Sequence, residues 1–271
     1  MVETRVYFDT DVDISETEGA FVPFPPWEFG DDLFAAHMIG TGYAALNPDD
    51  EAEAYGALYD WSGNGHHLNS LNDLAGGLGE WGVTAGVVAN EANTTYTLKN
   101  VWDAVVAAGS GGFTIIAHAT APAAAKAVAL VRSDTGTPDP NVGLTLGLNG
   151  GNDLRVQATG GGAQQTASIL DLTTELGNSA YYCGVYTLAS RYGWSKRKGA
   201  TTKAVTPNNV AVTALNANVP FEILDEAGSG TGTTVGSSFC IVLRPITQEE
   251  FEAAVDNNIE WHAVAGTGLD A

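Results

Sequence analysis

Short runs of β-branched and aromatic residues, separated by turn-forming residues, constrain the fold of this chain more than any other feature. Six runs predict strands: Phe113–His118, Ala127–Val131, Val142–Leu148, Asp153–Ala158, Tyr181–Leu188 and Phe239–Leu243. The first four runs are separated by about ten residues or fewer, which leaves no room between them for the crossover helices of βαβ units. The sequence therefore predicts an all-β, antiparallel sandwich.

Weaker runs predict further strands, and two segments predict helices. The weaker strands are Arg5–Phe8, Tyr96–Leu98, Val210–Leu215 and Phe221–Leu224. One helix is expected from Thr247, because Thr247 and Glu250 form a capping-box pattern and Phe251 and Val255 share a helical face. The other is expected over 100–108, with Asn100 as its cap and Gly109 as its stop.

The segment from Tyr59 to His67, YDWSGNGHH, predicts a tight turn. The side chains of Asp60 and Asn64 are of the type that bonds the backbone of a turn, and Gly63 and Gly65 accept positive φ. The expected structural turn consists of Asp60, Ser62, Gly63, Asn64 and Gly65.

Several stretches together resemble the laminin-G-like, concanavalin A-like family of lectin and glucanase domains. They are the turn from Asp60 to Gly65, the strand FTIIA at 113–117, LVRSDTG at 130–136, VGLTLGLNGGNDLRV at 142–156 and FCIVLRPITQEEFEAAV at 239–255. The likeness spans about residues 55–256 and implies a concanavalin A-like jelly-roll sandwich with short peripheral helices. It also implies glycan binding, with calcium left open as a ligand of loop carboxylates such as Asp60, Asp73 or Asp134.

One large domain accounts for most of the chain. The 271 residues are 44% hydrophobic, which suffices for a single extensive core. We assign residues 46–256 to the jelly-roll domain, residues 1–45 to an extended N-terminal arm with the first strand, and residues 257–271 to a C-terminal tail. The arm includes the Pro-rich VPFPPWEFGDD at 22–32, which is incompatible with a regular helix.

The chain is strongly acidic, with 11 basic and 32 acidic residues and a net charge of −21. Repulsion excludes bare nucleic acid as a general partner. Residues 1–80 contain sixteen acidic residues and one base, Arg5. This excess indicates either solubility in a salt-adapted host or a docking surface for a basic partner.

Against this background, five of the eleven bases fall between Arg191 and Lys203, interleaved with two aromatic residues. Aromatic faces stack on sugars and cations bind acidic groups. The candidate ligand-binding residues are Arg191, Tyr192, Trp194, Lys196, Arg197 and Lys198. Two other interpretations stay open, a sheet edge guarded by lysines and an electrostatic contact with the acidic region of another subunit.

Neither catalysis nor a protein-built metal site is expected. The glucanase pattern of three alternating carboxylates is matched only by Glu222 and Glu226, because Leu224 stands at the middle position. The acidic run from Asp9 to Asp13 resembles the start of a calcium loop, but it lacks the required glycine and final glutamate. No cofactor is predicted, and Cys183 and Cys240 are expected to be buried free thiols.

The predicted function is that of a non-enzymatic virion protein, of tail-fibre, head-fibre or decoration type, which binds a glycan or a host surface. No secretory signal is expected at the acidic N-terminus, and no apolar run is long enough to span a membrane. A phage component would fold in the host cytoplasm and meet the outside after lysis, assembled with other virion subunits as a homo-oligomer. The alternatives are an exported, extracellular bacterial lectin-like module and a purely structural capsid decoration or cement protein.

Overall fold

The computed structural model describes residues 27–38, 44–46, 54–58, 60–66, 68–69, 81–82, 92–120, 128–133, 143–149, 153–160, 163–169, 172–225 and 235–265. Strands are numbered along the chain. One six-stranded sheet, the back sheet, has the order β1 (Leu33–Met38), β16 (Val235–Val242), β7 (Gly112–Thr120), β12 (Ser179–Thr187), β13 (Arg191–Lys196) and β14 (Lys203–Ala204).

A second six-stranded sheet, the front sheet, packs against it. Its order is β11 (Ala163–Ile169), β10 (Leu154–Gly160), β9 (Gly143–Leu148), β8 (Val128–Ser133), β15 (Pro220–Asp225) and β6 (Ala92–Thr97). A small third sheet contains β2 (Ala44–Leu46), β3 (Ala54–Leu58), β4 (Leu68–Asn69) and β5 (Trp81–Gly82). Neighbouring strands are antiparallel in all three sheets, as in β7 with β12 and β9 with β10.

The main core lies between the front and back sheets. The back sheet contributes Ile115, Tyr182 and Ile241, and the front sheet contributes Leu146 and Val156. The six principal strand predictions coincide with β7, β8, β9, β10, β12 and β16. The predicted antiparallel sandwich with peripheral helices is therefore confirmed.

A second apolar cluster lies on the other side of the back sheet, beneath helix α2 (Gln248–Ala265). Ile116 and Cys183 face Phe251, Val255 and Trp261 of the helix. The back sheet is thus a middle layer, which explains why eight consecutive residues of β7 are buried.

Helix α2 begins as predicted and continues further than predicted. The backbone N–H of Thr247 donates to Glu250 Oε2 at 2.7 Å, and the backbone N–H of Glu250 donates to Thr247 Oγ1 at 3.2 Å, which confirms the capping box. The helix then runs past residue 256 to Ala265. Burial of Trp261 in the second cluster stabilises these additional turns, which the sequence analysis assigned to a tail.

Helix α1 (Leu98–Ala108) differs from its prediction at the start. Thr97 is the N-cap, and Asn100 is the third residue of a reciprocal capping box rather than the cap itself. Gly109 ends the helix with a φ of 65°, as predicted. Leu98 and Val105 pack into the main core.

The predicted strand at Val210–Leu215 is absent from the structure. Val212 and Leu215 are buried in the main core, but the segment runs between the sheets and pairs with neither. The apolar residues of this segment alternate because some of them are buried in the core, although the segment pairs with no described strand. The predicted strand Arg5–Phe8 lies outside the described residues. No helix in the described ranges has the length and apolar content needed to cross a membrane.

Candidate functional site

The Asp60 turn is built around one buried carboxylate. Asp60 Oδ1 accepts hydrogen bonds from the backbone N–H groups of Ala36 and Ser62, both at 2.9 Å. Its Oδ2 accepts from the backbone N–H of His66 at 2.9 Å and from Ser62 Oγ at 2.8 Å. Burial by itself raises the pKa of Asp60, but these hydrogen bonds outweigh it and hold the pKa below its ordinary value.

The same turn is bonded to strand β1, which is the outermost described strand of the back sheet. Asn64 Nδ2 donates to the carbonyl oxygens of Leu33 at 2.8 Å and Phe34 at 3.0 Å. The backbone N–H of Trp61 donates to the carbonyl of Ala36 at 2.8 Å. The turn therefore satisfies backbone groups along a sheet edge, which protects that edge from adding another strand.

The glycines of the turn have the predicted conformation, with φ of 86° at Gly63 and 76° at Gly65. Both oxygens of Asp60 are occupied by protein donors, so the open prediction of calcium at Asp60 finds no support. Asp73 and Asp134 lie outside the described residues. The described ranges contain no cluster of three metal-ligating side chains.

The structure separates the six predicted ligand-binding residues, and Arg191 is the clearest case. Its side chain is 0% exposed, because strand alternation points it between the two sheets. Arg191 Nη2 donates to Asn208 Oδ1 at 3.2 Å and to the carbonyl of Val210. Burial lowers the pKa of Arg191. The side chain of Arg191 therefore presents no surface to solvent in this structure, and its predicted binding role stays a prediction.

Trp194 and its neighbours face the opposite side, towards α2. Trp194 is 8% exposed and its ring stacks on Phe251 with centroids 5.9 Å apart. Half-buried Tyr192 meets Trp194 edge-on at 5.5 Å, and Lys196 Nζ bonds Asp256 Oδ1 at 2.6 Å. Helix α2 covers the ring of Trp194, and the predicted binding role of this residue stays a prediction.

The remaining bases follow strand β13. Arg197 Nη1 donates to the carbonyl of Thr174 at 2.9 Å, while Lys198 is exposed. Lys203 Nζ bonds Glu175 Oε2 at 3.0 Å. Of the six predicted residues, Lys198 is exposed, and Tyr192, Lys196 and Arg197 are half-buried. Strand β13 is not an edge, because β14 pairs with it at Trp194 and Ser195.

The outward face of the front sheet is a second candidate site, which the sequence analysis did not identify. Along β10, Leu154, Val156 and Ala158 lie in the main core, so alternation places Arg155, Gln157 and Thr159 on the outward face. Along β9, Gly143, Thr145 and Gly147 face outward in the same way.

Strand register arranges these residues in three rows. Arg155 lies opposite Gly147, Gln157 opposite Thr145, and Thr159 opposite Gly143. Gly143 and Gly147 lack side chains and are buried, so the outward surface along β9 is recessed relative to the side chains of β10. Glycine in a strand interior often marks the close approach of a ligand. We call Arg155, Gln157, Thr159, Thr145 and the two glycines the front-sheet lane.

Two largely buried residues of the front-sheet lane have hydrogen-bonding groups without a protein partner in the described part of the chain. Gln157 is 8% exposed and Thr159 is 6% exposed. Gln157 Oε1 accepts a long hydrogen bond from Thr166 Oγ1 at 3.4 Å, but within the described ranges Gln157 Nε2 and the Thr159 hydroxyl have no partner. Neither atom is among the fully buried polar atoms that lack a partner, so both keep contact with solvent and can bond a ligand. The signal in the sequence is VGLTLGL, with glycines at alternate outward positions.

The acidic segment considered for catalysis lies on β15. Register places Glu222 opposite Arg132 and Asp225 opposite Ala129, while Glu226 lies outside the described residues. Leu224 occupies the position between the two glutamates, so strand alternation assembles no row of three carboxylates there.

No family model matches this chain, and no curated protein sequence matches it. Among solved structures, a receptor binding domain covers 87% of the chain at 11% identity with a TM-score of 0.52. The receptor binding domain of botulinum neurotoxin type G covers 84% at 10% identity with a TM-score of 0.51. A Trypanosoma rangeli sialidase in complex with 2,3-difluorosialic acid covers 82% at 12% identity with a TM-score of 0.50.

This chain spans only part of each of those proteins, 52%, 51% and 32% of their respective lengths. At these identities the likeness shows the fold, an antiparallel β-sandwich shared with binding domains and with part of a sialidase. The sandwich implied by the concanavalin A-like resemblance agrees with this result.

Proposed function

We propose that the protein is a non-enzymatic adhesion module that binds a cell-surface glycan through the front-sheet lane. The observation that carries the proposal is the pair of hydrogen-bonding groups without a protein partner among the described residues at Gln157 and Thr159, beside a strand with glycines at alternate outward positions. Sugars present many hydroxyl groups, and polar side chains on a rigid sheet bind them with little loss of conformational entropy. The outward face of the back sheet is covered by α2 and offers no equivalent surface.

The likeness to two receptor binding domains supports an attachment role, although it shows only the shared fold. The likeness to a sialidase makes sugar cleavage the alternative that any test has to measure. On β15, Leu224 stands where the glucanase pattern has its middle carboxylate, and this supports binding without hydrolysis.

A glycan array with matched variants tests the proposal. Thr159→Val and Gln157→Met keep the approximate shape of each side chain and remove its hydrogen bonds, so together they are expected to weaken glycan binding about tenfold or more. Sugar release is measured in parallel and is expected to be undetectable. Binding that is unchanged in the double variant would reject the front-sheet lane as the site.

The exposed end of the basic hairpin is the matched control. Arg197→Gln with Lys198→Gln is expected to leave glycan binding unchanged. Loss of binding in that variant, with normal binding in the double variant of the front-sheet lane, would instead favour the hairpin location predicted from the sequence.

We further propose that the module belongs to a virion, as a homo-oligomeric fibre or decoration subunit. This placement rests on the resemblance and composition described for the sequence. Mass spectrometry of purified particles tests it, and recovery from a bacterial culture supernatant without particles would favour an exported lectin-like module instead. Association with particles without any glycan binding would favour a purely structural decoration protein.

A further inference from the structure

We infer that the glycan is acidic and that Arg155 holds its carboxylate at one end of the front-sheet lane. This inference rests on the proposed glycan-binding function and specifies its ligand class.

Among the described bases, Arg155 has neither an ion pair nor a side-chain hydrogen bond, whereas Arg191 and Arg197 donate to backbone carbonyls. Lys99, Lys196, Lys203 and Arg244 each form an ion pair with a carboxylate of their own chain. The half-buried Arg155 forms no ion pair within the described residues. In a chain with a net charge of −21, a cation without a carboxylate partner is available to an anion from outside.

Neither of the two described acidic residues nearest to Arg155 in sequence and register forms an ion pair with it. The carboxylate of Asp153 accepts a hydrogen bond from Asn149 Nδ2 at 2.7 Å. Along the row of Arg155, register passes through Gly147 and Ala129 before it reaches Asp225. That separation of three strands is about 14 Å, which exceeds the Debye length at physiological salt.

The shape of the lane suits a carboxylate attached to a sugar ring. Gly147, opposite Arg155 on β9, carries no side chain, and Ser168 lies opposite Arg155 on β11. The planar guanidinium binds a carboxylate through two parallel hydrogen bonds. Gln157 and Thr145 follow about 7 Å further along the strands, where the ring hydroxyls of the same sugar would lie.

The test compares each acidic sugar with its own methyl ester. The probes are galacturonate and N-acetylneuraminate oligosaccharides, their carboxyl methyl esters, and a neutral maltotriose, with affinities measured by titration calorimetry. Esterification is expected to weaken binding to the natural protein roughly ten- to hundredfold, because it removes the charge that Arg155 binds.

Two variants assign the effect to Arg155. Arg155→Gln is expected to bind acid and ester with equal affinity. Arg155→Lys is expected to keep part of the preference, since lysine supplies the charge without the two-pronged geometry. Equal binding of acid and ester by the natural protein would overturn the inference while leaving glycan binding intact. Failure to bind any probe on the array or in calorimetry would instead reject the proposed function. Because the ester comparison uses the natural protein, it remains decisive even if a variant fails to fold.

Discussion

Asp60 shows how much a single carboxylate organises in this fold. It lies between the turn and strand β1 and accepts four hydrogen bonds from groups separated by up to thirty positions in the chain. All four donors would lose a partner if the carboxylate were changed. Its role is to position the edge of a sheet rather than to bind a ligand.

Asp60→Asn is therefore expected to lower the free energy of unfolding by roughly 1–3 kcal/mol, because the amide nitrogen faces backbone donors that it cannot accept from. Urea denaturation at pH 7 measures the change. Asp153→Asn is the matched control, since that residue is only partly buried and is expected to have a smaller effect. Equal losses in the two variants would contradict the role assigned to Asp60.

The low pKa of Asp60 also predicts the pH dependence of stability. Because its pKa is lower in the folded state than the ordinary 3.8, the carboxylate stabilises the fold fully above that value, and this contribution is lost as the pH falls through the folded-state pKa. The stability difference between the natural protein and Asp60→Asn is expected to be constant near neutral pH and to shrink below about pH 4. A difference that grew on acidification would have the wrong sign.

Asn208 connects the two sheets through its side chain. Asn208 Nδ2 donates to the carbonyl of Thr166 on the front sheet at 3.1 Å, and Asn208 Oδ1 accepts from Arg191 of the back sheet at 3.2 Å. Asn208→Ala is expected to cost roughly 1–3 kcal/mol in unfolding free energy, since it deprives a buried guanidinium of an acceptor. The exposed neighbour provides the control, with Asn209→Ala expected within about 0.5 kcal/mol of the natural protein. A similar loss of unfolding free energy in both variants would contradict the connecting role of Asn208.

At the scale of elements, α2 determines what the basic hairpin can do. Strand β13 presents alternate residues to α2 and to the main core, and neither side is open to solvent along most of its length. The charged ends of Lys196 and Arg197 are bound to other parts of the same chain. The hairpin is therefore mainly a packing element in the described structure.

Trp194→Ala tests the packing of α2. Removal of the ring leaves a cavity beneath Phe251, and the expected loss is roughly 3–5 kcal/mol in unfolding free energy. Denaturation followed by near-ultraviolet circular dichroism measures it, with the exposed Thr201→Ala as a control expected to be nearly neutral. Unchanged stability in Trp194→Ala would show that the helix does not depend on this contact.

At the scale of the whole molecule, the net charge of −21 opposes the compact state through self-repulsion. Exposed ion pairs such as Lys196 with Asp256 offset little of this, because pairs near solvent contribute at most about 1 kcal/mol. Salt should therefore have a net stabilising effect.

The melting temperature is expected to rise as sodium chloride increases from about 0.01 M to about 0.5 M, because the Debye length shortens and repulsion between carboxylates is screened. Differential scanning calorimetry measures the shift. Chloride is preferable to sulfate, since sulfate stabilises proteins by exclusion from their surface whatever their charge. A melting temperature that falls with added chloride would mean that attractive pairs outweigh the repulsion.

Local patterns in the sequence determined the elements of this protein. These elements depend on interactions within a few residues of the chain. Examples are the strand run FTIIAH, the positive φ at Gly63 and Gly65, the capping box at Thr247 and the helix stop at Gly109. The sandwich followed from their order and spacing. The front-sheet lane was not found, because the glycine alternation in VGLTLGL acquires a meaning only when β10 is known to lie beside β9.

The tertiary structure alone decided which residues face solvent. Arg191, Tyr192 and Trp194 form a basic and aromatic cluster in the sequence, yet strand alternation directs Arg191 between the sheets and Trp194 under α2. The sequence indicated neither where α2 packs nor which segment covers Arg191, because both depend on contacts between residues far apart in the chain. The sequence determined the strands, turns and charge of this protein, whereas the packing of layers determined which charges and aromatic rings remain accessible to a ligand.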